Sequence, residues 1–537
     1  MSAAIEPARR WAPRTKRVLA WLDRRFAFHS RGNAARAVVT VCLLGGAVAL
    51  LLGQDANWDL RNYHLYNGYA WLHDRLARDL AAAQMQSYFS PMLDVLQYAL
   101  MVHWPAPLAG FVLGVAHALV FAPVAAIAWM ALAGHPQRAR LAPVLALAGM
   151  CSAAFLSEFA GSMADNTTAL PVLGALALVL APARHAEGAR PAAARWLLAG
   201  ALLGAAVAFK LTNAVYALAI AAAVLSCGGP VRARVGRLAL LAAVSLLVFA
   251  LLAGPWYRAV WQAFGNPLLP QFNGWFQSAL AQPVSVADTR WLPKAWWEWL
   301  TWPLVFTFNP RRASEIALFQ CVWASLYLVA LLAGLRWLLG RRDRALAPAP
   351  AMRAVLVFFL VAYLLWQALF GIHRYLVVLE LLAPLVLWQL CRHAFARRHA
   401  ARAAGALIGL CALVALGGWN DWGHEPWARQ GFAVAAPAMV DPGRSLVLMV
   451  GDEPQSWRIA FLPGQARYAS VASNFPESGA YRERIAALVQ ASPHRYAMLP
   501  ASVDRKAGRV VAMNAWAARL GLADQRDCSG LRWLVRR

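Results

Sequence analysis

The chain is built from apolar runs of roughly 16 to 26 residues, each about long enough for a helix to cross the ~30 Å hydrocarbon core of a bilayer. Ala37 to Leu52, Leu108 to Ala133, Leu238 to Gly254 and Val355 to Phe370 are examples. No other feature restricts the fold as much. Inside lipid every backbone polar group must be satisfied within the chain, so only helices and closed barrels can span it. Barrel strands alternate apolar and polar residues. These runs do not, so a helical bundle is expected. Composition agrees: of 537 residues 61% are hydrophobic and 14% charged, against about 45–50% and about 25% in soluble domains.

The net charge of +26 would suit nucleic acid, but most arginines fall in short stretches between apolar runs, where they set topology. The basic stretches are 1–36, 135–140, 184–195, 230–237, 336–353 and 392–402. Consecutive ones bracket enough apolar sequence for two crossings, so the positive-inside rule places all of them in the cytoplasm. Spans are then expected near 37–54, 107–134, 141–159, 166–183, 194–210, 212–228, 236–255, 315–338, 352–370, 373–391 and 402–419, about eleven in all. The apolar segment 92–104 is too short and reads as re-entrant or interfacial. A twin-arginine signal at Arg24-Arg25 is less in keeping with so many later spans than an uncleaved first helix.

This organisation gives a basic cytoplasmic N-terminus (1–36), a transmembrane domain (37–419) and a tail (420–537) on the far side. The first outer loop is 55–106, and 256–314 is crowded with tryptophans such as Trp256, Trp275, Trp296 and Trp302, which suit the headgroup layer. The tail is long enough for a small α/β domain. Ser445 to Val450 and Tyr496 to Leu499 read as strands, and Tyr481 to Gln490 and Val510 to Leu520 as amphipathic helices. Of the seven cysteines only Cys528 lies in the tail, and no Cys-x-x-Cys or Cys/His cluster supports a zinc site or a disulfide framework.

Chemistry-bearing residues gather at the expected outer ends. Gln54-Asp55-Ala56-Asn57-Trp58-Asp59-Leu60-Arg61-Asn62-Tyr63-His64 follows the first span directly. If this stretch is helical, Asp55 and Asp59 share a face, at a surface where partial desolvation can tune a carboxylate into a base. A solvated loop is the alternative. Lys210, one of four lysines, ends a span in Phe209-Lys210-Leu211-Thr212-Asn213, and a snorkelling role is its simplest reading. His373-Arg374-Tyr375 puts an arginine on the outer side against the topological rule; a phosphate would explain it, since the guanidinium fork fits one bidentately, and a structural ion pair of little energetic weight is the alternative. Glu158 and Asp165 flank a short outer turn and could line the same cavity. Glu380 could bond a neighbouring helix, and Glu315 could cap the eighth span. The Pro-rich stretch Gly265 to Asn273 reads as a rigid interfacial turn or as part of an acceptor surface.

Trp58-Asp59 followed by Tyr63-His64, then an amphipathic stretch from Asn67 to Leu80, then Ser90-Pro91 with Asp94, resembles the first outer loop of the GT-C membrane glycosyltransferases. The likeness is to their dolichyl-phosphate-mannose mannosyltransferase and aminoarabinose transferase types, and it extends to topology over 1–420. It implies an all-α polytopic bundle with a small extracytoplasmic α/β domain, in a bacterial inner membrane. It also implies an inverting hexosyl- or pentosyltransferase that uses a polyprenyl-phosphate sugar donor and a lipid, glycan or protein acceptor. Asp59 matches the base or acceptor anchor, with Asp55 as runner-up. Lys210, His373 and Arg374 would hold the donor phosphate, and Tyr63, His64, Glu158 and Asp165 would line the acceptor side or cavity. Asp55 and Asp59 could share Mg or Mn, although no complete ligand set is present. A transporter or flippase of lipid-linked glycans is the second reading, and it would show internal repeats and broken helices. A polysaccharide ligase or polymerase is the third, and it would carry its large loop late in the chain.

Overall fold

The structure is a computed structural model that describes residues 6–181, 190–284, 286, 288–340, 348–432, 434, 436–498, 522–528 and 531–536. Its helical part begins with α1 (Glu6–Phe26) and α2 (Arg31–Leu52). Ser30 separates them, its hydroxyl accepting from the Asn33 N–H in an N-cap. The first outer segment holds α3 (Leu65–Leu72) and α4 (Met92–His103). Then come α5 (Ala106–Ala118), α6 (Phe121–Ala131), α7 (Arg138–Met150), α8 (Ala153–Ser157), α9 (Asp165–Leu180), α10 (Arg190–Phe209), α11 (Ala214–Ser226) and α12 (Val231–Phe264). The remaining helices are α13 (Asn273–Phe276), α14 (Trp296–Phe308), α15 (Val322–Leu338), α16 (Pro350–Leu369), α17 (Val377–Ala394), α18 (Arg397–Gly417) and, in the tail, α19 (Gly479–Ala491).

Among the described residues six helical segments are long and apolar enough to cross a membrane: Arg31–Leu52, Ala106–Ala131, Val231–Phe264, Pro350–Leu369, His373–Ala394 and Arg397–Gly417. Four shorter apolar helices accompany them: Asp165–Leu180, Ala193–Phe209, Leu211–Ser226 and Val322–Leu338. The chain is a multi-pass membrane protein. α17 is its hub, with Leu379, Leu381, Leu382, Ala383 and Leu387 fully or almost fully buried. Close approach at this hub depends on small residues: a Cβ at Gly149 of α7 would meet the Leu381 carbonyl oxygen at 2.2 Å. α4 has 12 residues, about 18 Å of helix, shorter than the ~30 Å hydrocarbon core.

Several elements depart from expectation: the span expected near 141–159 is divided into α7 and α8, and α15 begins at Val322 and not near 315. α12 runs on through Pro255 for 34 residues, so residues 256–264, expected in a loop, continue the helix beyond the membrane. α3 stops at Leu72 instead of continuing toward Leu80. There the chain turns to bring Arg75 and Asp79 inward, and their side chains pair at 2.6 Å while each is almost wholly buried. Arg75 Nη2 also donates to the Ala466 carbonyl at 2.7 Å, and the Tyr468 N–H donates to Asp79 at 3.0 Å. This knot fastens the first outer loop to the tail.

The tail folds as a five-stranded sheet of order β4-β3-β5-β7-β6, from β3 (Ser445–Val450), β4 (Arg467–Val471), β5 (His494–Met498), β6 (Leu522–Cys528) and β7 (Leu531–Arg536). β3 pairs in parallel with β4 and β5, and the last two strands add antiparallel. α19 matches the helix expected over Tyr481 to Gln490. The expected helix Val510 to Leu520, Leu499, residues 184–189 of the basic stretch 184–195 and residues 341–347 of the stretch 336–353 lie outside the described residues. The sheet shares its apolar core with the first loop and the top of α12: Leu80, Tyr88, Trp256, Val260, Leu446, Leu448 and Tyr481 form one cluster. The Pro-rich stretch contributes buried Leu269 to it, and Gln282 N–H donates to the Pro476 carbonyl at 2.8 Å. A second two-stranded ladder pairs β1 (Gln54–Asp55) with β2 (His424–Glu425).

Candidate active site

Asp59 sits where the ladder ends and a π-helical turn, Leu60–His64, begins; such turns often mark functional positions. The expectation that Asp55 and Asp59 share one helical face is not met. Asp55 is pulled into the ladder by the tail, so the chain between them is not helical. Both Asp55 oxygens are occupied: Oδ1 accepts from the Asn57 side chain at 2.7 Å, and Oδ2 accepts from the Ser162 N–H at 2.8 Å. Asp55 therefore ties the first loop to the turn 158–164.

Around Asp59 lies an ion-pair cluster. Arg374 Nη1 donates to Asp59 Oδ2 at 2.9 Å, and the Tyr63 hydroxyl donates to the same oxygen at 3.3 Å. Lys210 Nζ pairs with Asp165 Oδ1 at 2.6 Å and also donates to the Met163 carbonyl at 3.1 Å. Arg374 Nε lies 4.0 Å from Asp165 Oδ2, which links the two pairs. All four charged side chains are largely buried, the most open being Lys210 at 14%. Glu158 lies beside them, with Oε2 accepting from the Asn166 N–H at 3.3 Å and Oε1 meeting no donor.

The electrostatics follow from this packing. Burial acts to raise the Asp59 carboxyl, but the Arg374 guanidinium, helped by His64 and Lys210, outweighs it and holds Asp59 below the ordinary carboxylate range. Glu158, in the turn beyond α8, has no cation of its own. Burial and the neighbouring Asp165 push it well above the ordinary range, against the opposing pull of Lys210 and Arg374. The cluster then balances two cations against two carboxylates, which is how buried charge is tolerated.

The sequence placed Asp59, Tyr63, His64, Glu158, Asp165, Lys210 and Arg374 near one another, and the structure brings them together. His73 and His103 take no part. His64 Nδ1 contacts Asp94 Oδ1 at 2.6 Å, which secures the π-turn to α4. His373 is a correction: it is wholly buried and faces away from Lys210, with Nε2 at 2.7 Å from Glu380 Oε1. Glu380 also accepts from the Trp323 indole at 2.8 Å and the Ala154 N–H at 2.8 Å. An unpaired acid at the bundle centre needs such partners, and His373 supplies one, so it anchors the turn that presents Arg374. Glu315 does not cap α15, which starts at Val322.

Sequence reasoning missed Trp422. The tail turns back after α18, and the Trp422 ring lies 5.2 Å from the Arg374 guanidinium carbon, a cation–π distance. The signal was present as the run Trp419-Asn420-Asp421-Trp422-Gly423, straight after the last span. Trp419 bonds the Leu156 carbonyl at 2.9 Å, which helps to hold this strap over the site.

Two solved structures align with almost the whole chain. ArnT from Cupriavidus metallidurans in the apo state matches with TM-score 0.51 and 14% identity, over 93% of this chain and 96% of that one. The oligosaccharyltransferase of Archaeoglobus fulgidus, tethered to an acceptor peptide, matches with TM-score 0.50 and 12% identity, over 93% and 74%. The fold is GT-C. ArnT in its undecaprenyl phosphate-bound form aligns over 72% of this chain and 65% of that one, with TM-score 0.46. No family model matches the sequence, and no curated protein matches it either. The ion-pair cluster lies on the first loop, at the start of α9, at the end of α10 and in the turn before α17.

Proposed function

We propose that the chain is an inverting glycosyltransferase that moves a hexosyl or pentosyl group from a polyprenyl-phosphate donor to an acceptor on the outer face of a bacterial cytoplasmic membrane. The observation that carries this reading is the buried pairing of Asp59 with Arg374 and of Asp165 with Lys210 at one end of a GT-C bundle. The topology that goes with it has about eleven crossings, a cytoplasmic N-terminus and residues 420–537 outside.

Transfer needs a base for the acceptor proton and donors for the charge developing on the departing phosphate. Arg374 and Lys210 are suited to the phosphate. When one arrives, it shares the guanidinium that now holds Asp59. The Asp59 carboxylate is then less stabilised, so its proton affinity rises as the donor becomes seated. A base that is quiet in the free enzyme thereby becomes competent in the complex. The exposed aromatics of 256–302, with Trp275 91% and Trp296 77% exposed, form the floor along which the prenyl chain would lie.

Asp59→Asn is the test. It should lower transfer from the polyprenyl-phosphate donor by roughly 10²–10⁴-fold, while the protein still inserts and purifies from membranes. Near-normal glycolipid production in a deletion strain carrying this variant would remove the assignment.

A further inference from the structure

Two cysteines that the sequence spaces 90 positions apart meet in the structure. Cys321 caps the N-terminus of α15, and Cys411 lies in α18. Their sulfurs are 3.6 Å apart, and both side chains are only partly buried. Cys411 also lies 3.7 Å from the Ser325 hydroxyl, one turn further along α15. The two helix ends are pressed together by more than this contact. A Cβ on Gly418, just past α18, would fall 2.6 Å from the Phe319 Cβ. The Asn420 amide reaches the Ala317 carbonyl at 3.4 Å.

Both cysteines are at the end of the bundle that carries Asp59 and Arg374. The loop before Cys321 accepts the His373 N–H at Ala313, and α18 leads directly into the Trp419–Trp422 strap. On the orientation proposed above, this end faces an oxidising compartment, where thiol pairs close. A small cavity lined by Cys151, Ser152, Gln320, Glu380 and Cys411 adjoins the pair.

We propose that Cys321 and Cys411 are a disulfide-forming pair. One thiolate attacks an oxidised protein or low-molecular-weight disulfide, giving a mixed disulfide and releasing one thiol. The second thiolate then displaces the other half, so the S–S bond forms, the donor disulfide is reduced to two thiols and two protons leave the cysteines. The link would join α15, whose Trp323 holds Glu380 and through it His373, to α18, which carries Trp422. The two elements flanking Arg374 would then be fixed to each other.

The test is mass spectrometry of full-length protein alkylated under denaturing conditions without reduction. One arm uses membranes as isolated, and the other uses detergent-solubilised protein treated with oxidised glutathione. A peptide joining Cys321 to Cys411, abolished by dithiothreitol and by either Cys321→Ser or Cys411→Ser, is expected in both arms. A link found only in detergent supports the pair and counts against the outward orientation, not against the pair. Quantitative alkylation of both cysteines in both arms would overturn the proposal. As an independent readout, Cys321→Ser, Cys411→Ser and the double variant should lower the thermal midpoint of the oxidised protein equally, and dithiothreitol should erase the difference.

Discussion

At the scale of single residues, the decisive fact is that Asp59 is already neutralised. A carboxylate bound to a buried guanidinium is a poor base until that guanidinium finds another anion. This gives a pH signature. Asp59 must be ionised to work, and its folded proton affinity is depressed. The kcat/KM of the wild-type enzyme should therefore hold from neutral pH down to below the ordinary carboxylate range, and fall only there. In Arg374→Gln the main opposing charge is gone and burial dominates, so the acid limb should move to higher pH, beyond the general loss of rate. A pH–rate profile of both proteins checks this. The same charge balance bears on metals. Among the described residues no group of three or more His, Cys, Asp or Glu could hold an ion, and Asp59 and Asp165 each face a cation already. With both carboxylates so engaged, activity should survive exhaustive treatment with EDTA.

At the scale of elements, the strap that follows α18 connects the bundle to the site. β2 pairs with β1 beside Asp55. Trp427 donates to the Leu50 carbonyl at 2.8 Å and lies so close to α5 that a Cβ at Gly110 would come within 2.2 Å of its ring. Gly110→Val should push Trp427 out, at a cost of about 1–3 kcal/mol, and lower transfer by disturbing the strap and not the chemistry. Trp fluorescence and the assay, read together, check this. Much of this level was legible beforehand. The apolar runs pointed to a helical membrane bundle, and Ser445 to Val450 read as a strand-like run, which is β3. What escaped was set by distant partners. The ladder at Asp55 depends on residues 424–425, the stop of α3 on carbonyls at 464 and 466, and the inward turn of His373 on Glu380. None of these contacts leaves a local period in the sequence.

At the scale of the whole molecule, the tail is not an appendage. Its sheet buries Leu446, Leu448 and Val471 against the first loop and α12, and the Arg75–Asp79 pair is sealed between them. Arg75→Met removes a buried cation and leaves Asp79 unpaired. It should cost about 3–5 kcal/mol, seen as a lowered unfolding midpoint in detergent, whereas removal of the half-exposed Arg61–Glu425 pair should cost no more than about 1 kcal/mol.

The long helix α12 gives this arrangement a mechanical meaning. Its 34 residues measure about 51 Å, against about 30 Å of hydrocarbon. The surplus stands clear of the lipid as a rigid post, with Trp256 bonded to the Tyr88 carbonyl at 3.0 Å on the way up. The sheet rests on the top of that post. The distance of the sheet from the apolar stretch of α12 is thus fixed by a ruler within the protein, and a thicker or thinner bilayer changes how deeply that ruler is sunk. Under the proposed function, reach toward an acceptor becomes a property shared between the protein and the membrane that holds it.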